Sequence, residues 1–359
     1  MRKRGRELGL PFPGMPGAWN AITDVAGVEV GQVTLISGEG PLKPGTGPVR
    51  TGVTGILPRG RAKAHVPCAA GFYSLNGNGE MTGTVWIEES GELQTPITIT
   101  NTHSCGVTRD ATIRWMVTRG LGTGQDWGLP VAAETYDGDL NDINGFHVTA
   151  EHTLEALDGA SSGPVAMGSV GGGTGMLTYD FKAGNGSSSR VVEIAGARHT
   201  LGVFVQSNFG RREDFTLLGV PVGRHLLEGK LRGKEQGSVI AIVATDAPLM
   251  AHQLKRLARR VPLGLARTGT VGNNSSGDIF LAFSTANEQA FAQRSGRLHM
   301  EALSNADLDQ LFMATVEATE EAVIDSMLVA ETMLGRDGNR AVALPAAELM
   351  DLMRRYGRM

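Results

Sequence analysis

The run Val-Ile-Ala-Ile-Val at 239–243 constrains the fold more than any other stretch of this chain. It is apolar, β-branched and free of polar alternation, so it reads as a buried strand. It begins abruptly. Gly233, Lys234, Glu235 and Gln236 read as a polar loop, and Gly237-Ser238 is the boundary. A small hydroxyl residue therefore stands at the first position of a buried strand, with glycine before it.

The rest of the chain supplies partners for that strand. Residues 51–104 alternate short β-rich runs with Gly, Pro and Asn turns ("TGVTGILPRG", "GTVWIEESG", "PITITNTHS"), and strands return over 164–223 and 277–287. Residues 107–120 show helical spacing, with Ile113, Met116 and Val117 on one face and glycine as a stop. A short helix is predicted over 149–159, where Thr149 and His152 form an imperfect capping box. Another is predicted over 246–262, with Asp246 as N-cap and Pro248 in its first turn. Apolar residues three and four apart predict a long helix over 305–334, and 345–357 closes the chain. Strands in the middle with helices flanking them point to an α+β layered fold. No Pro/Gly/Ser-rich linker divides the sequence, so 1–359 is expected to be a single domain.

Composition excludes several function classes. A net charge of −4 gives no case for a nucleic-acid partner or an anionic membrane surface. No apolar run reaches bilayer length, and none of signal-peptide length follows the basic start "MRKRGRELGL"; a cytoplasmic location is the expectation. Cys68 and Cys105 read as reduced buried thiols in strand or strand-end segments, being too few for a disulfide framework and too far apart for a zinc site. Glycine, at 50 of 359 residues, is well above the usual ~7% and marks tight turns and close backbone approaches.

Motif searches mostly return turns. "GASSG" (159–163) has the letters of a nucleophile elbow, but a helix precedes it and a strand follows, the reverse of the required context. "DGDLND" (137–142) opens like a calcium loop. Asp142 stands where glycine is needed and Val148 where the bidentate Glu is needed, so an Asx-rich turn is predicted. His147 and His152 lack one-face metal spacing. "SVGGGTG" (169–175) has no dinucleotide frame, yet its glycines require something, ligand or backbone, to come very close. No metal or cofactor is expected.

Ser238 itself has two readings. One is a serine capping a strand, as is common at turns. The other is an N-terminal nucleophile: the chain cuts its own backbone before Ser238, and the freed α-amine becomes the base for its own hydroxyl. An unperturbed α-amine has a pKa of ~7.7–8.0, suited to a general base, and a hydroxyl needs such a base to be nucleophilic. Gly237 would let the scissile backbone adopt a strained turn.

The stretches "ITDVAGVEVGQVT" (22–34), "GFYSLNGNGEMTG" (71–83), "NTHSCGVTRDA" (101–111), "AETYDGDLNDING" (133–145), "VGGGTGM" (170–176), "VQSNFGRRE" (205–213), "GSVIAIVATDAPL" (237–249) and "RTGTVGNNSSGDIFLAFSTAN" (267–287) resemble the S58 peptidase family. This is the group of L-aminopeptidase/D-Ala-esterase/amidase enzymes and β-peptidyl aminopeptidases. The resemblance implies a four-layer αββα sandwich, layered like the N-terminal nucleophile hydrolases but connected differently. It implies a cut between Gly237 and Ser238, giving fragments 1–237 and 238–359, with Ser238 as nucleophile. Asn208 in "QSNFG" matches the oxyanion-stabilising amide, and Ser276 and Asp278 in "NSSGD" match the polar pair that orients the nucleophile and its amine. Some relatives carry Glu at the second of these positions. Glu134 in "AETYDG" matches the carboxylate that holds the substrate ammonium, and Tyr136 matches an aromatic pocket wall whose hydroxyl could touch the nucleophile or oxyanion. Tyrosine there leans toward the α-aminopeptidase/D-amidase branch.

The substrates so implied are short peptides or amino-acid amides and esters, and the assembly a homo-oligomer: tetramers of processed pairs, or larger. Two rivals stand beside this reading. One is an acyltransferase like the ornithine acetyltransferases, which self-cleave before Thr. The other is an uncleaved, non-catalytic binding relative.

Overall fold

The computed structural model of the chain describes residues 2–120, 127–232, 237–293 and 295–359; the loop expected at Gly233–Gln236 lies outside them. The strands are β1 (Glu29–Ser37), β2 (Val49–Leu57), β3 (Cys68–Ser74), β4 (Glu92–Leu93), β5 (Ile97–Asn101), β6 (Val131–Thr135), β7 (Leu177–Thr178), β8 (Phe181–Lys182), β9 (Asn185–Ile194), β10 (Ala197–Asn208), β11 (Gly237–Thr245), β12 (Ser276–Ser284), β13 (Met333–Leu334) and β14 (Arg340–Ala341). The helices are α1 (Thr84–Ser90), α2 (Cys105–Thr118), α3 (Ala150–Asp158), α4 (Ala251–Ala258), α5 (Val261–Arg267), α6 (Glu288–Phe291), α7 (Asp309–Leu328) and α8 (Ala346–Arg355).

Two sheets carry the architecture. One has the order β1-β2-β5-β6 and the other β4-β3-β12-β11-β10-β9. All pairings are antiparallel except β5–β6 and β11–β12. Apolar side chains fill three interlayers. Ile56, Ile97, Ile99 and Val131 meet Phe204, Ile240, Ile242, Leu281 and Phe283 between the sheets. On the outer side of the larger sheet, Val203, Val205, Val239, Ala241, Val243 and Phe280 pack with residues of α4, α5, α7 and α8. On the outer side of the smaller sheet, Leu57 packs with Trp115 of α2 and Leu157 of α3. The layers run helix, sheet, sheet, helix, as expected for an αββα sandwich. β11 is buried at every position because both faces of its sheet are covered.

Three helices differ from their sequence-based outlines. In α2 the buried face is Thr108, Ala111, Thr112 and Trp115; Ile113 and Met116 are half-buried and Val117 is exposed. Small residues on the inner face let the helix lie close to the sheet, and that need outweighs hydrophobicity alone. The segment expected as one helix over 246–262 is two. Asp246 does not cap it, because its carboxylate accepts from the Thr200 N–H (2.8 Å) instead. The first helix starts after Met250, whose N–H donates to the Gln253 side chain (2.9 Å), and Pro262 sits in the first turn of the second helix rather than ending the first. The long C-terminal helix is α7, shorter than 305–334, and 16 of its 20 residues are buried.

α7 is wrapped rather than amphipathic. Its inner side packs on β9 and β10. Its buried carboxylates are met by the chain's own N-terminus: Arg4 Nε pairs with Asp325 (2.7 Å) and Arg6 Nε with Glu321 (2.8 Å). Glu321 also receives Arg190 Nη2 (2.7 Å) and Asn20 Nδ2 (2.7 Å). Buried acids tolerate such a site only when paired in this way. Among the described residues no helix is long and apolar enough to cross a membrane.

Candidate active site

The site is built where β6, β10, β11 and β12 meet the loop after β3. In β11 alternate residues face opposite ways: Ile240 and Ile242 enter the inter-sheet core, while Val239, Ala241 and Val243 enter the outer one. Ser238 shares the parity of Ile240 and so faces the smaller sheet. Its register partners are Asn208 on β10 and Gly277 on β12. Asn208 shares the face of Phe204 and Gln206; the Gln206 amide donates to Thr100 O (2.9 Å) and Thr135 Oγ1 (2.7 Å) across the gap. The nucleophile and oxyanion candidates, 30 positions apart in sequence, are thus cross-strand neighbours on one face.

Asn208 is fully buried and tightly engaged. Its Oδ1 accepts from Leu177 N (3.0 Å) and Arg232 Nη2 (2.9 Å), and its Nδ2 donates to Tyr136 O (2.8 Å). That last bond ties the end of β6 to β10, the strand paired with β11 beside Ser238, and brings "AETYDG" into the site. Glu134 is buried, and its Oε1 accepts the Glu80 N–H (3.0 Å). Burial raises its carboxyl pKa above the ordinary value, opposed by hydrogen bonds from the Thr102 side chain and the Glu80 backbone. A nearby ammonium would favour the charged form of such a carboxylate. Tyr136 is half-buried; its phenol pKa is raised first by burial and then by Asp139. Its ring lies against Gly138, where a methyl group would stand 2.4 Å from the hydroxyl oxygen. No hydrogen bond joins that hydroxyl to Ser238 among the described residues.

Ser276 and Asp278 come together as a pair, Ser276 Oγ donating to Asp278 Oδ1 (2.6 Å). Asn76 Nδ2 donates to the other carboxylate oxygen (2.9 Å). Both side chains have the parity of Phe280, which points to the outer core, so they approach the β11 start from the face opposite the Ser238 side chain. The backbone of Gly237-Ser238 lies between, with Gly237 in register with Ser276 and Val239 with Asp278. No hydrogen bond joins either residue to Ser238 among the described residues.

Gly237 is crowded by β10: a methyl group there would stand 2.0 Å from Asn208 O. Gly277 behaves alike, with a methyl position 2.3 Å from Asn78 O and 2.7 Å from Gly79 Cα. The loop through Asn76–Glu80 therefore rests on Gly277 while its ends hold Asp278 and Glu134.

The glycines of "SVGGGTG" are explained by backbone and neighbouring side chains. Methyl groups would meet Ile99 O at Gly172 (2.5 Å), Asn185 N at Gly173 (2.4 Å) and Arg50 O at Gly175 (2.4 Å). "DGDLND" is the Asx-rich, hydrogen-bonded turn predicted: the Leu140 and Asn141 N–H groups donate to Asp137 O (both 3.1 Å), and Asn141 Nδ2 donates to Asp137 Oδ1 (3.0 Å). Cys68 and Cys105 are free and buried, which pushes both thiols up to about 12; Cys105 opens α2 rather than ending a strand. Three residues at the site escaped sequence reasoning: Asn76, Thr102 and Arg232. "NGNGE" and "NTHS" were visible as turns, but nothing local ties them to residues tens to hundreds of positions away.

The Peptidase family S58 model matches residues 20–341. A β-peptidyl aminopeptidase of Sphingosinicella microcystinivorans is 50% identical, the match covering 99% of this chain and 93% of the relative. The solved L-aminopeptidase D-Ala-esterase/amidase of Ochrobactrum anthropi, a variant of the Ntn hydrolase fold, is 49% identical with a TM-score of 0.93 and covers 99% of each chain. A solved β-aminopeptidase of Burkholderia sp. is 43% identical with a TM-score of 0.89, again over 99% of each. A family match over most of the chain, joined to near-complete overlap in sequence and in fold, means that this chain belongs to Peptidase family S58.

Proposed function

We propose that this chain is a self-processing N-terminal-nucleophile aminopeptidase and amidase. It cuts itself between Gly237 and Ser238, then releases N-terminal residues from short peptides, amino-acid amides or esters. The observation that carries this reading is the register of Ser238 opposite Asn208, with the Asn208 amide tied to the strand end that presents Glu134.

In the first step Ser238 Oγ attacks the Gly237 carbonyl, the Ser238 nitrogen leaves as the new amine, and water hydrolyses the resulting ester. In turnover that α-amine takes the Ser238 hydroxyl proton. Oγ attacks the carbonyl of the substrate's first residue, whose ammonium is held by Glu134. The free Nδ2 hydrogen of Asn208 stabilises the oxyanion, an interaction of ~2.7–4 kcal/mol for one such donor. Ser276 and Asp278, lying beside the β11 start on its outer face, orient the amine rather than the hydroxyl. The leaving amine departs with the proton, and water or another amine resolves the acyl-enzyme. Tyr136 forms one wall of the pocket.

Identity to the β-peptidyl relative and to the L-aminopeptidase is nearly equal, at 50% and 49%, so α- and β-residue substrates both belong in the assay. The test is intact mass under denaturing conditions for the wild type beside Ser238→Ala. Two fragments, the smaller beginning at Ser238, and an uncut variant are expected. A wild type that stays full-length on long incubation refutes the mechanism.

A further inference from the structure

We infer that Arg232 is a positioning residue, whose guanidinium holds the Asn208 amide in the orientation that oxyanion stabilisation requires. This rests on the function proposed above. The Asn208 amide is surrounded by groups of fixed polarity: two N–H donors at one end, from Leu177 and Arg232, and the Tyr136 carbonyl at the other. That pattern decides which end is oxygen and leaves one Nδ2 hydrogen for a ligand. A flipped amide would set its NH2 against two donors. Arg232 supplies the charge-assisted half of this lock, and drawing electron density toward Oδ1 makes the remaining N–H a stronger donor.

Arg232 is itself held on both sides. Its Nε donates to Asp139 Oδ2 (2.6 Å), and its side chain is only 6% exposed. The Asp180 carboxylate accepts the backbone N–H of Leu231 (3.0 Å) and of Arg232 (3.1 Å). None of these anchors depends on the Gly237–Ser238 bond. Arg232 therefore keeps its grip on Asn208 in the uncut chain and in the processed one, and serves both self-cleavage and turnover. Asp139, the second acid of "DGDLND", owes its place to this arginine rather than to a calcium ion.

The test compares Arg232→Met, Arg232→Lys and Asp139→Asn with the wild type and Ser238→Ala. Two quantities are measured: the first-order rate of self-cleavage by intact mass, and kcat and KM per processed chain. Arg232→Met is expected to slow both cleavage and kcat by roughly 10- to 100-fold, the usual effect of losing a group's orienting partner, with KM unchanged. Arg232→Lys keeps the charge and recovers part of the rate; Asp139→Asn loses less than Arg232→Met. In an Asn208→Ala background the Arg232→Met change adds nothing further to the cleavage rate, because its effect runs through Asn208. If Arg232→Met does not fold, the same KM-against-kcat split is read on Arg232→Lys and Asp139→Asn. Wild-type rates in the Arg232 variants, a change confined to KM, or an undiminished effect without Asn208 overturns the inference while leaving the proposed function standing. A wild type that never cuts, or a Ser238→Ala chain that does, removes the function and the inference with it.

Discussion

Alanine at Gly277 tests the site's architecture without touching any reacting group. Its methyl group would stand 2.3 Å from Asn78 O and 2.6 Å from the carbonyl carbon, all backbone. An ordinary contact is about 3.5 Å, so the loop or the strand must move by about 1 Å. The overpacking cost is about 1–3 kcal/mol, seen as a lowered melting midpoint. The functional cost is larger. The displaced loop carries Asn76, bonded to Asp278, and the Glu80 N–H, bonded to Glu134. A misplacement of about 1 Å at a reacting site costs on the order of 10²-fold, so both the self-cleavage rate and kcat/KM are expected to fall by about that factor. The paired control is Gly106→Ala in α2, where a methyl group meets nothing within 4 Å. That change is expected to leave activity alone and stability equal or slightly higher. The assay is time-resolved intact mass, then kcat/KM on an amino-acid amide, with melting curves for both variants. A Gly277→Ala chain that cuts, turns over and melts like the wild type would refute the claim that this loop rests on Gly277.

Glu134→Gln is expected to raise KM and lower kcat/KM at least ~30-fold, the low end of the ~2–5 kcal/mol for losing one partner of a buried charge pair. Because burial raises the Glu134 pKa, the wild type's kcat/KM falls on acidification from above the ordinary carboxylate range, a limb that Glu134→Gln lacks. Lys182 is wholly buried, its Nζ donating to Met176 O (2.9 Å) and Ala183 O (2.6 Å), and burial lowers its pKa to about 7. The unfolded state then binds the extra proton between that value and the ordinary 10.5, so this group makes stability rise with pH across the window. Lys182→Met is expected to remove a slope of up to ~1.4 kcal/mol per pH unit from urea unfolding curves, and an unchanged slope refutes the assignment. Glu321→Gln leaves buried Arg190 and partly buried Arg6 short of their partner and is expected to cost about 3–5 kcal/mol in the same assay.

What the sequence made legible follows from locality. Ser238 was visible because glycine, serine and an apolar run are contiguous, and the layered α+β outline was visible because strand and helix periods differ. The α2 face was misassigned because Thr108, Ala111 and Thr112 carry little hydrophobic signal, although the close helix–sheet contact demands small residues there. The span 246–262 divides into α4 and α5, and Pro262 sits in the first turn of α5, a use of proline that apolar spacing does not announce. The positions of Asn208 and Glu134 came from family likeness; their engagement did not. The bond from Asn208 to Tyr136 O spans 72 positions and that from Arg232 to Asn208 spans 24, with no periodicity to announce either. The crowding of Gly237 by a neighbouring strand leaves no mark on the sequence around it.

The cut proposed at Gly237–Ser238 would interleave its two products in the strand order. β11 and β12 would go with the smaller fragment, while β3 and β10, which flank them, would stay with the larger one. Pulling such pieces apart would mean unzipping two ladders at once and sliding α7 from beneath Arg4 and Arg6. An uncut chain would refold as one body, at a rate independent of concentration. A nicked pair would first have to meet, so its recovery would slow on dilution. Processing of this kind would act as a ratchet on renaturation, leaving the native contacts in place while removing the tether that makes the return from unfolding simple.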